Sequence, residues 1–140
     1  MGEPKNPQDD IVVLQRIRNH IIGYLELAAS FQEQLDYQKR VPLINVPNEI
    51  IHQWEDWVSP EIQKEYVEPI FSIREQDAIR QFQQTINQVS SDTPDPLPSI
   101  EIIQKSAQWE NLRIGALEAL MVFQERGRCV ENIDCISRAK

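Results

Sequence analysis

Glycine is scarce in this chain of 140 residues: only Gly2, Gly23, Gly115 and Gly127 occur, and no two lie close together. A phosphate-cradling loop needs several glycines within a few positions, so nucleotide-binding loops of that kind are excluded. Nine prolines outnumber them, a balance that suits long regular elements with sharp stops rather than a sheet joined by glycine-rich turns. Cysteine and histidine are equally sparse, with two of each. Cys129 and Cys135 stand six apart with no histidine near them, so that region cannot supply the four ligands of a structural zinc site. They read as ordinary thiols; a disulfide would need the backbone to fold back and an oxidising compartment.

Long apolar runs are also missing. None approaches the roughly 20 residues that span a bilayer. Met1 to Asp10 is polar, and Ile11 to Leu14 is too short for the apolar stretch of a secretory leader. Met1-Gly2 opens like a myristoylation signal, but Asn6 stands where serine or threonine is wanted. The expectation is a cytoplasmic protein with reduced thiols and no membrane association.

Positive charge is in deficit. Fourteen Lys and Arg face 22 Asp and Glu, a formal net charge of −8. Such a surface repels nucleic acid and anionic membranes alike. It keeps a small protein soluble, and it speeds encounter with a basic protein.

What is abundant is apolar residues at helical spacing. Asn6-Pro7 with Asp9 and Asp10 forms a helix start. From there Leu14, Ile17, Ile21, Leu25, Ala28, Phe31 and Leu35 recur at steps of three and four, predicting one long helix over about 7–38. Gly23 lies inside it at a cost of about 1 kcal/mol, which close packing by a neighbour would explain. Val41 to Val46 is extended or irregular and is expected to lie against the core. Pro47 opens a helix over 47–58, and Ser59-Pro60-Glu61 starts a shorter one over 60–67, which Pro69 ends. Ser72-Ile73-Arg74-Glu75 is a capping box for a helix over 73–89. Ser90 to Pro98 is a proline-rich loop, and Ser99 caps a last long helix over 99–126, closed by Gly127 in the left-handed conformation. The expected fold is therefore all-α: an irregular bundle of four to five helices in a single domain over 7–140, behind a flexible tail at 1–6.

Few side chains suggest chemistry. Glu49 and His52 form a Glu-x-x-His on one helix face, the element that di-iron bundles use twice over. His20 is the only other histidine and has Ile17 three residues before it, so the second half of such a site is missing. Asp56 extends the row without completing it. His20 itself, at the edge of the first helix's stripe, reads as a hydrogen-bonded boundary residue. No catalytic residue and no cofactor are assigned.

The most unusual composition lies in 47–69, where Glu49, Glu55, Asp56, Glu61, Glu65 and Glu68 face Lys64 alone. Trp54 and Trp57 stand among these acids. Tryptophan anchors many binding surfaces, and an acidic rim favours a basic partner. Their alignment with Ile50 and Val58 equally suits a place in the core. Three readings follow. The first is a non-enzymatic interaction module, an inhibitor, adaptor or immunity-type protein, that uses Trp54, Trp57, Glu55, Asp56 and Glu61. The second is a metal- or ligand-binding bundle enzyme centred on Glu49 and His52. The third is a subunit that forms a homodimer through a helix stripe.

Overall fold

A computed structural model describes residues 7–59 and 63–128 of the chain. The expected tail at 1–6 with its Asn6 cap, Glu61, the start of the 60–67 helix, and Cys129 and Cys135 lie outside the described residues. Six helices and no strand occur among the described residues: α1 (Pro7–Ala28), α2 (Phe31–Arg40), α3 (Val46–Trp57), α4 (Ile73–Asp92), α5 (Ile100–Ile103) and α6 (Ala107–Gln124). The chain is an all-α, irregular bundle.

Both expected long helices are broken, and for the same reason. Within 7–38 the chain leaves helical geometry at Ser30, whose backbone is extended (φ −131°, ψ 109°) and whose hydroxyl accepts the Glu33 N–H. The open end of α1 is closed by Gln34, whose Nε2 donates to the carbonyls of Leu27 and Ala28. Because Ala28 and Phe31 are three apart, the apolar stripe runs through the break and periodicity does not reveal it. Within 99–126 the single turn α5 stops, and Ser106 restarts the chain by accepting the Trp109 N–H while its own hydroxyl donates to the Ile103 carbonyl at 2.6 Å. In each case a serine hydroxyl satisfies a backbone donor that a helix start leaves unpaired.

The remaining boundaries shift by less. Asn45, rather than a residue further on, caps α3 by accepting the Asn48 N–H. The Ser72–Glu75 capping box forms as expected. α4 runs three residues past Val89 to Asp92, so the proline-rich loop begins at Thr93, whose hydroxyl donates to the Val89 carbonyl. No helix runs to Val67: from Lys64 the chain is in turns, held by Tyr66 N–H to the Gln63 carbonyl.

α4 and α6 run antiparallel, with Arg74 beside Glu125 at one end and Thr85 against Gly115 midway. α1 packs on α6 and also touches α3. Ile21, Leu25, Trp54, Phe82, Trp109 and Phe123 fill the space between them. Each such side chain taken out of water stabilises the fold by about 1.5–3 kcal/mol. The close approach that Gly23 was expected to allow is found at Gly115 instead. A Cβ there would stand 3.0 Å from Thr85 Cγ2, whereas at Gly23 it would meet only the end of the Arg128 side chain at 3.8 Å. Gly127 takes the left-handed conformation, φ 76°, and its N–H bonds the Phe123 carbonyl. The segment 41–46 does not lie flat on the core: Val46 is buried, but Leu43 is 100% exposed and Ile44 40%.

Candidate functional site

The C-terminal half of α3 separates the residues that composition had grouped. Trp54 is fully enclosed: its ring packs edge-on to Phe82, with centroids 4.7 Å apart, and tilts against Tyr24. Its Nε1 donates to Gln83 Oε1 at 2.7 Å, which satisfies the indole inside the core. Trp54 therefore presents no surface to a partner. Trp57, three residues on, is half-buried, and its ring lies parallel to His20 at 4.5 Å and 5°. His20 is thus an exposed stacking partner that joins α1 to α3.

Glu55 and Asp56 occupy the opposite, solvent side of α3, and among the described residues neither has an ion-pair partner. The helix end that carries them is anchored from the following segment. Val58 N–H bonds the Trp54 carbonyl, and the buried Tyr66 hydroxyl donates to the Trp57 carbonyl. Burial, and after it the charge of Glu65, push the Tyr66 phenol up to about 12, so it remains a donor at neutral pH. Glu65 and Glu68 are exposed on the same segment. The result is a rigid helix terminus with acids outside and a stacked indole at its edge.

The metal-like pair does not gather further ligands. Glu49 is half-buried and His52 exposed; His52 and Asp95 line a cleft of about 250 Å³ between α3 and the loop after α4. Among the described residues no three His, Cys, Asp or Glu side chains come together to hold an ion. No described helix is long and apolar enough to cross a membrane.

Two buried polar centres were not foreseen. In the first, the Glu75 carboxylate accepts from Arg18 Nη1 at 2.5 Å, from Arg126 at 2.6 and 3.1 Å, and from the Ser72 N–H at 2.9 Å. Arg18 is wholly buried and also donates to the carbonyls of Ile70, Phe123 and Gly127, so one guanidinium closes the end of α6 and ties it to α1 and to the start of α4. Burial by itself would raise the Glu75 carboxyl. The hydrogen bonds from Arg126, Arg18 and Ser72, with the Arg18 charge, outweigh it and hold the group below the ordinary carboxylate range. Its oxygens are committed to these hydrogen bonds, so this centre is a clasp between helices.

In the second centre the buried Gln34 carboxamide accepts from Trp109 Nε1 at 2.9 Å and from Gln104 Nε2 at 3.2 Å, while donating to the end of α1. No buried side-chain nitrogen or oxygen among the described residues lacks a hydrogen-bond partner. In sequence, Glu75 was visible only as a cap, and nothing singled out Arg18. Their meeting depends on residues 57 apart, which local pattern does not report.

Compared with models of protein families, with curated proteins and with solved structures, the chain matches none.

Proposed function

We propose that this protein is a non-enzymatic interaction module that meets a basic partner through the C-terminal end of α3. The observation that carries the reading is the pair Glu55 and Asp56, exposed on an anchored helix end without an ion-pair partner among the described residues, at the edge of the half-buried Trp57. Four other acids, Glu26, Asp77, Glu110 and Glu125, each hold an arginine; Glu55 and Asp56 are two adjacent ones that do not. An exposed carboxylate cluster left without counter-charge attracts cationic side chains and raises their rate of encounter. The neighbouring indole, half-buried and stacked on His20, adds apolar area at the edge of this acidic surface. Trp54 drops out of the surface because it is buried, and Glu55, Asp56 and Trp57 carry the proposal. Glu65 and Glu68 extend the rim.

The test is affinity chromatography on the immobilised chain at several salt concentrations, repeated with Glu55→Gln/Asp56→Asn. The expected result is retention of a basic protein that weakens with salt and is lost on the double variant. Empty columns at every salt concentration, or retention that the double variant leaves unchanged, would overturn the reading.

A further inference from the structure

At the other end of α3 the molecule displays an apolar knob. Leu43 stands 100% exposed at the tip of the turn between α2 and α3, with Ile44 40% exposed behind it. A single exposed leucine is ordinary; one held this firmly is not. The Gln38 carboxamide clasps the turn with both ends, its Nε2 donating to the carbonyls of Val41 and Ile44 and its Oε1 accepting the Val46 N–H. Asn45 Nδ2 fastens the same turn to the Leu97 carbonyl. Ordering a turn costs conformational entropy, and this one buries nothing with its leading side chain. Such rigidity is repaid when the displayed residue docks, because the ordering cost has then been met in advance.

Beside the knob lies a groove of about 580 Å³, walled by Leu35 and Lys39 from α2, by Pro42, Leu43 and Ile44 from the turn, and by Glu101 from α5. Ile102, next to Glu101 on that short helix, is 63% exposed. Among the described residues neither Lys39 nor Glu101 has an ion-pair partner.

We infer that this face is an isologous interface, and that its occupant is a second copy of the chain. A two-fold axis brings each patch against itself, so a patch favours it when every charge finds its opposite after rotation. One cation on the α2 wall and one anion on the α5 wall meet that condition: Lys39 pairs with Glu101 of the second copy, and Glu101 with its Lys39, around the apolar turns. A wholly basic or wholly acidic partner would leave one of the two opposed. The overall charge of −8 makes two copies repel over most of their surface. This face, with Lys39 against Glu101, is a place where they do not. It is also remote from the acidic end: α3 has 12 residues and is about 18 Å long. Self-association therefore leaves Glu55 and Asp56 open, and the inference does not rest on the role proposed for them.

The experiment is sedimentation equilibrium of the full chain from low micromolar to submillimolar concentration, with circular dichroism on every variant. The wild type is expected to show a reversible monomer–dimer equilibrium that Leu43→Glu abolishes while the helical signal and the unfolding midpoint stay put. Lys39→Glu and Glu101→Lys are each expected to weaken dimerisation by about tenfold. Mixed together they restore it, because the mixed pair matches a glutamate to a lysine at both contacts. A wild type that remains monomeric throughout, a dimer indifferent to Leu43→Glu, or a mixture no tighter than its two components would each overturn the inference.

Discussion

Around Glu75 one carboxylate meets two guanidiniums inside the bundle, whereas at the end of α3 Glu55 and Asp56 are exposed and have no ion-pair partner among the described residues. The residue types are the same, and the surroundings reverse what they do. A charge removed from water must be matched, so Glu75 draws Arg18, Arg126 and the Ser72 amide together and thereby sets the relative position of α1, α4 and α6. A charge left in water needs no match, so folding places no demand on Glu55 and Asp56. The first cluster is explained by the fold; the second is where selection for a partner has room to act.

The contrast breaks most severely at its buried side. Glu75→Gln keeps the shape of the side chain but leaves two arginines without their counter-charge, one of them fully buried. A loss of about 3–5 kcal/mol is expected in urea unfolding. Trp54→Ala belongs in the same range, about 3–5 kcal/mol, because it empties the space against Phe82 and strands the Gln83 carboxamide. Trp57→Ala, which removes a half-buried ring stacked on an exposed histidine, should cost well under half of that. Equal losses for the two tryptophans would mean that Trp57 is as much a core residue as Trp54.

Acid sharpens the comparison further. Because the folded Glu75 carboxyl lies below its ordinary value, the stability it contributes is complete above the unfolded pKa of about 4.3 and is lost as pH falls toward and through the folded value. Unfolding midpoints measured from neutral pH down through that window should fall more steeply for the wild type than for Glu75→Gln. Parallel curves would show that the clasp is not charged as described. The smallest effect belongs to the exposed side: Glu55→Gln/Asp56→Asn should change stability by no more than about 0.5 kcal/mol. A larger loss would mean that those acids serve the fold and would remove the reason for assigning them a partner.

How far the fold was legible follows from which signals are local. The Ser72–Glu75 box, the left-handed Gly127 and the stripe of α1 were all readable, because caps and amphipathic spacing act within a few residues. The breaks at Ser30 and Ser106 were hidden because apolar spacing carries on across both. The exposure of Leu43 was hidden because an apolar residue between two prolines looks the same whether it faces core or water. At the candidate site, the acidity of 47–69 was plain, while the parting of Trp54 from Trp57 was not.

Composition and periodicity alone determined that this chain is helical, acidic and devoid of a reactive motif, since those properties are sums over residues or repeats along one helix. The tertiary structure decided which tryptophan is enclosed, that Gly115 rather than Gly23 admits a close neighbour, and that Arg18, Glu75 and Arg126 converge. Those outcomes depend on contacts between residues far apart in sequence. The cost of burying a charge or an indole is settled only by what the rest of the fold brings to meet it.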